Sequence, residues 1–393
     1  MLALRLARGS RPLVLLRRLL VAAASAGVGF LLLCALGYAS GHPDRPTAAL
    51  LRLLWCFVPL AATVQFAVAV ARTDPSTRPR SGLSAVGLGP VKLTVLAAVS
   101  TAVSCTLGSV VALLVFLHLR GDLSGLPFDG AAAGLLDARS PLPLAATLVL
   151  LSLVPVSAAV ASGIALRERP VVVPLPDEGP ADGPREEHPA PATPPGGLPW
   201  GVALTAVGLA VEAYMSRGDG HSLLPLPGRL DDSPAGVLVG WALTAVGLAM
   251  AGPGLAYHCG RLLQSVRPGA VRLLAGRVLM DEARRIGGPL GVVCAVLSAV
   301  VAVYALHGTG PRPFGPLTAL GSVLVLGCTA ATLLTSALEA RQDRSRTSRT
   351  LLRLGTPASA LRYATALRAA VLLAVFAPLT WLVAELAALP LTV

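Results

Sequence analysis

Reactive side chains are few in this sequence, and their spacing excludes most reactions. The single lysine, Lys92, is followed by Leu93. A phosphate-cradling P-loop needs a lysine and then Ser or Thr after its glycine turn, so the chain cannot hydrolyse ATP by that route. No HExxH, GxSxG or CxxC occurs, and no nucleophile stands with a base or with a set of metal ligands. The six histidines (His42, His118, His188, His221, His258, His307) are scattered over loops and helix ends and read as interfacial or exposed side chains. The six cysteines (Cys34, Cys56, Cys105, Cys259, Cys294, Cys328) lie in or at the edge of apolar runs and read as small fillers. The chain is therefore expected to be no enzyme, with no catalytic residue, metal or cofactor. Inside the apolar runs only Glu212 and Glu385 are acidic. Each sits about one or two turns from the expected outer end of its helix, where a carboxylate can reach the interface.

Arginine is what the chain has in quantity. Only 13% of its 393 residues are charged, yet the formal net charge is +12. The bases sit in short loops beside apolar runs, a pattern of membrane topology and not of nucleic-acid binding. Two of these loops share one order. Residues 72–92 read RTDPSTRPRSGLSAVGLGPVK and residues 341–362 read RQDRSRTSRTLLRLGTPASALR. Overlaid, Leu83 falls on Leu351, Gly87 on Gly355, and Lys92 near Arg362, with Pro90 and Pro357 close behind the glycines. Each segment begins with separated arginines, runs through about two turns of apolar residues, breaks at a glycine, and ends on a base where the next apolar run starts. Positive-inside anchoring accounts for the arginines, but not for the shared order. A short interfacial helix ending at Gly87 or Gly355, lying along the inner surface and rigidly continuous with the next span, is the expectation. Two docking surfaces for one kind of partner would follow.

The elements that hold these loops are apolar runs. With 54% apolar residues, the composition is that of a membrane protein. Nine runs approach the roughly 20 residues that a bilayer demands: 19–39, 53–71, 93–117, 143–166, 198–215, 236–257, 289–306, 316–338 and 369–391. In lipid each must pair its own backbone, so an all-α polytopic protein of about nine transmembrane helices is expected. With the N-terminus cytoplasmic, only Arg45, Arg52, Arg120, Arg139, Arg217, Arg229 and Arg312 of the 32 bases fall outside. One miscounted span would scramble so strong an asymmetry.

Residues 167–199 are rich in proline, glycine and acid and cannot bury a core, so they read as an extended cytoplasmic linker. The organisation expected is a first unit over 1–166 with four spans, this linker over 167–199, two linking spans over 200–260, and a second unit over 261–393 with three spans. The outer loops are too short for a folded ectodomain. The two linking spans share ALTAVGLA, at 203–210 and again at 242–249. Both a local inverted pair and low-complexity apolar sequence account for that identity, and no function is assigned to it.

The second basic loop carries a resemblance. Residues 351–379, LLRLGTPASALRYATALRAAVLLAVFAPL, resemble the cytoplasmic loop and following helix of FtsX-like ABC transporter permeases. In that family a Leu-Arg-x-Leu-Gly-x-x-x-x-x-x-Arg pattern precedes a span; here it is met by Leu352, Arg353, Leu354, Gly355 and Arg362. The first copy, 83–93, is similar at Gly87 and Lys92 but has Ser84 and Val86 where polar and basic residues belong. Residues 271–293, VRLLAGRVLMDEARRIGGPLGVV, resemble the lead-in to the second repeat of duplicated, actinobacterial-type members. Larger members run four spans, two linking spans and four more; this chain gives four, two and three. Spans seven to nine would correspond to one to three, with the last span and the large ectodomains lacking.

The resemblance implies a permease subunit in the plasma membrane, working as one chain or as a homo- or heterodimer. It would partner a separate ABC ATPase and transmit that subunit's cycle across the bilayer by biasing two helix arrangements. Its coupling loops would present Leu83, Gly87, Pro90, Lys92, Leu352, Arg353, Gly355, Pro357 and Arg362. A non-transporting scaffold or sensor derived from a permease is an alternative. A secondary transporter is another, and it needs a buried intramembrane charge or paired broken helices.

Overall fold

A run of apolar residues in hydrocarbon has no solvent partner for its amides, so it closes its hydrogen bonds along its own axis. The computed structural model follows that rule throughout. It describes residues 12–73, 90–122, 130–134, 136, 141–167, 194–217, 235–265, 269–307, 315–353, 355 and 357–392. Among these are nine helices and no strand: α1 (Pro12–Gly41), α2 (Pro46–Thr73), α3 (Pro90–Arg120), α4 (Leu144–Leu166), α5 (Leu198–Arg217), α6 (Ala235–Ser265), α7 (Ala270–His307), α8 (Pro316–Arg353) and α9 (Ala358–Thr392). Eight are long and apolar enough to cross a membrane, and α5 has a shorter apolar stretch, Leu198–Tyr214. The protein is an all-α, multi-pass membrane protein. "Inner" and "outer" below follow the arginine distribution.

Outward faces are apolar, as lipid requires. On α4, Leu144, Leu148, Val149, Val156, Val160 and Ile164 are exposed, and on α9 Leu373, Trp381, Leu382 and Leu389. The first four helices form one bundle around α1, the most enclosed of the spans. α1 packs on α3 where Gly108 meets the Ala22 carbonyl so closely that a Cβ would strike it, and Ser25 Oγ donates to the Cys105 carbonyl at 2.8 Å. On α3, Ser109 Oγ donates to Leu151 of α4 at 3.1 Å. Small residues thus set the approach and hydroxyls bridge it, as lipid-embedded packing favours.

The second group is organised around α7. It crosses α6 at a glycine seam: a Cβ on Gly252 would strike the Gly287 carbonyl, and one on Gly260 would lie 2.8 Å from Gly276 O. α9 packs along α7, and α8 packs on it less extensively. The two groups therefore contain triads with one scheme. In α1–α2–α3 and in α7–α8–α9 the first helix packs on both others, whereas the second and third touch slightly in the first triad and lack an extensive contact in the second.

The groups meet chiefly through α8, which packs on α2 and to a lesser extent on α1. Val325 and Cys328 of α8 join the buried cluster that holds Val28, Leu60 and Phe66. Thr63 Oγ1 lies 3.6 Å from Cys328 Sγ across this seam. All six cysteines are buried and unbridged.

Two boundaries differ from the sequence reading. The basic stretch after the eighth run is no separate interfacial helix: α8 continues unbroken for 38 residues to Arg353. At 1.5 Å per residue it is about 57 Å long against a hydrocarbon core of roughly 30 Å. Its polar end therefore projects on the inner side, continuous with the preceding span and not with the following one. No proline or glycine interrupts residues 328–353, and arginine is a good helix former, which is why the helix does not stop at the membrane. Likewise α7 starts at Ala270, well before the apolar run, and carries Pro289 within it.

Candidate functional site

α8 ends because Gly355 takes φ +89°, a left-handed conformation in which L side chains are strained and glycine is not. No atom lies within 4 Å of where its Cβ would be, so backbone conformation alone asks for glycine. The Gly355 N–H donates to the Leu352 carbonyl at 3.2 Å, and the Ala360 N–H to the Pro357 carbonyl at 3.0 Å. One carbonyl of the ending helix is thereby satisfied, and Pro357 pre-sets the chain for α9. Arg353, Gly355, Pro357 and Arg362 are exposed around this turn, with Leu352 44% and Tyr363 60% exposed beside them. It is a basic knob with an apolar component, held off the membrane by two helices.

The knob has a firm base. Just after it, Ala364 is buried against Leu263 of α6 and Ala275 of α7, with Leu367 and Val371 packed alongside. One turn on, Arg368 Nη1 lies 3.8 Å from Glu282 Oε2 of α7. Arg368 stands at the inner start of the last apolar run, where a long cation can snorkel towards water, but here it is paired between helices.

Of the first loop, Leu83 and Gly87 lie outside the described residues. Pro90 opens α3, and Lys92 is exposed in its first turn. α3 packs mainly on α1 and α4, so Lys92 and the Gly355 turn sit on separate helices without extensive packing between them.

The structure also brings together groups that sequence reasoning kept apart. ALTAVGLA belongs to a local inverted pair. A Cβ on Gly201 of α5 would lie 2.7 Å from Gly247 O of α6, and one on Gly240 would lie 2.8 Å from Gly208 O. Thr205 Oγ1 abuts Gly247 as Thr244 Oγ1 abuts Gly208. One offset along the chain relates Gly201 to Gly240, Thr205 to Thr244 and Gly208 to Gly247, so each contact has its mirror on the facing helix. The signal was present as glycines repeating on one helix face in both spans.

At the outer end of this seam Glu212 does not reach the interface. It is 0% exposed and accepts a hydrogen bond from Trp241 Nε1 of α6. Its Oε2 and Thr244 Oγ1 are buried without a hydrogen-bond partner. The second intramembrane acid, Glu385, is exposed. Among the described residues no group of three His, Cys, Asp or Glu is placed to hold a metal ion.

Comparison of the chain with protein-family models, curated proteins and solved structures finds no match.

Proposed function

We propose that the chain is the membrane-spanning permease subunit of an FtsX-like ABC transporter in the plasma membrane, and that it works with a separate ATPase subunit. The observation that carries this reading is the pair of triads. α1–α2–α3 and α7–α8–α9 share one packing scheme, and in both a proline stands where the third helix begins after a basic segment, Pro90 as its first residue and Pro357 just before it. In the second triad the exposed Arg353 and Arg362 flank a turn anchored to α6 and α7 by Ala364 and Arg368. A partner that displaces this turn moves α8 and α9 together. The first unit, the linker, the two linking spans and the second unit then follow the boundaries 1–166, 167–199, 200–260 and 261–393.

The test is co-expression with a candidate ABC ATPase subunit. The purified chain alone is expected to hydrolyse no nucleotide, and the pair to co-purify. Arg353→Glu, or deletion of the Gly355 turn, is expected to weaken the complex. Complex formation untouched by either change would remove the docking assignment.

One observation favours a second reading, an ion-coupled secondary transporter. Glu212 is wholly buried within a helix pair, and intramembrane carboxylates commonly mark ion or proton paths. Flux in proteoliposomes separates the two readings: Glu212→Gln abolishes ion-coupled uptake and leaves nucleotide-driven transport intact.

A further inference from the structure

α5 and α6 share ALTAVGLA and mirror each other's contacts, yet their threonines behave differently. Thr205 Oγ1 of α5 donates to the Gly201 carbonyl at 2.9 Å, the common use of a hydroxyl inside a membrane helix. Thr244 Oγ1 of α6 is buried and makes no hydrogen bond. The offset that relates Thr205 to Thr244 relates Glu212 to Ala251, so the two ends of the seam differ in one acid. The unengaged hydroxyl stands at the end that has it. There Trp241 Nε1 donates to Glu212 Oε1, while Oε2 is buried without a partner.

Oxygen atoms gather around this place. Glu212 stands one turn after Gly208 on α5, and Thr244 one turn after Gly240 on α6. The helices cross so that Thr244 faces Gly208 and Glu212 faces Gly240. Trp241 and Thr244, three residues apart, share a face of α6, so the indole hydrogen bond draws the carboxylate to the side that carries the hydroxyl. Two carbonyls enter the same interval: Gly208 O lies 2.8 Å from where a Cβ of Gly240 would be, and Gly240 O lies 2.7 Å from where one of Gly208 would be. A carbonyl has two lone pairs, and the helix uses one. The Gly201 carbonyl gives its second to Thr205, whereas the Gly240 carbonyl receives nothing from Thr244. Glu212 forms no ion pair among the described residues. A carboxylate enclosed in this way calls for a counter-charge.

We propose that this interval binds a sodium ion, held by Glu212 Oε2, Thr244 Oγ1 and the Gly208 and Gly240 carbonyls. All four are hard oxygen donors, and one carboxylate balances one monovalent charge. Calcium takes more oxygens, and magnesium keeps several waters; a seam closed at glycines suits neither. The same closeness favours sodium over the larger potassium. The indole N–H on Oε1 orients the carboxylate and leaves Oε2 to the ion, the part that outer-shell donors play in metal sites. The bound ion ties α5 to α6 near their outer ends. The inference bears on the ion-coupled reading without resting on it, since a fixed ion would clamp the same two helices in a permease.

The test uses the full chain in mild detergent with radiolabelled sodium as the probe, read by scintillation proximity at constant ionic strength. Saturable binding is expected, displaced by unlabelled sodium and not by potassium or choline. Glu212→Gln, which keeps an acceptor for the indole, should abolish it. Thr244→Val should weaken it about tenfold, as the loss of one contact to a charge; this variant decides the matter if Glu212→Gln does not fold. Thr205→Val, the mirror substitution at a hydroxyl already engaged, should leave binding unchanged, and so should Glu385→Gln at an exposed acid. Equal displacement by potassium, binding that survives both Glu212→Gln and Thr244→Val, or a Thr205→Val effect as large as that of Thr244→Val would overturn the site. A Trp241 emission that responds to acid through Glu212 and never to sodium would reassign the carboxylate to a proton and overturn the ion. Binding is read without transport, so flux indifferent to sodium would remove the ion-coupled reading and leave a measured site standing.

Discussion

Glu282 on α7 and Arg368 on α9 face each other at 3.8 Å with side chains only 13% and 11% exposed, where the projecting turn meets the membrane. Arg368 is oriented further by its own helix: Nε donates to the Ala364 carbonyl at 3.3 Å and Nη2 to Thr365 Oγ1 at 3.2 Å. Removing one partner of a shielded pair leaves the other charge uncompensated. Glu282→Gln and Arg368→Gln are each expected to lower stability by about 1–3 kcal/mol, between the values for exposed and buried pairs. Denaturant unfolding in micelles measures this, and the double variant should cost less than the sum of the singles.

Gly355→Ala should strain the turn without any clash, since only its φ of +89° objects to a side chain. The local cost is about 1–2 kcal/mol. Limited proteolysis at the turn should accelerate, while the thermal unfolding of the membrane helices stays near that of the unaltered protein. A large drop in unfolding temperature would show that the turn is coupled to the core.

Glycine contacts make a paired prediction. Gly108→Ala forces a Cβ into the Ala22 carbonyl and should cost about 1–3 kcal/mol as overpacking. Gly327→Ala on α8 meets nothing within 4 Å and should be neutral or slightly stabilising, because alanine is the better helix former. Unfolding of both variants in one detergent is the check.

The Glu212–Trp241 pair predicts a fluorescence change. Glu212→Ala leaves the Trp241 indole N–H without its acceptor, at a cost of about 1–3 kcal/mol. Trp241 emission should shift, and a chain retaining tryptophan only at position 241 isolates its signal. An unchanged spectrum would mean that the indole and the carboxylate do not meet in the membrane.

Helix number and class were legible because hydrocarbon leaves the backbone one solution, and length with hydropathy then sufficed. The break at Gly355 was legible because a glycine with a proline close behind is a local signal. Where α8 and α7 extend beyond the bilayer was not: polar arginine-rich sequence continues a helix as readily as it forms a loop, and only the lack of a breaker before Gly355 distinguished the two. The burial of Glu212 was hidden for another reason. Its distance from the helix end permits both snorkelling and burial, and the choice depends on Trp241 and Gly240 of a facing helix. The pairing of Arg368 with Glu282 was hidden likewise, since contact between α7 and α9 is set by packing across the bundle.

The four-helix half leans on the rest of the molecule almost wholly through α8, the same helix whose far end carries Arg353. Torque applied at that tip is therefore delivered along one axle to the seam where Thr63 meets Cys328. The glycine crossing of α6 on α7 lies apart from that seam.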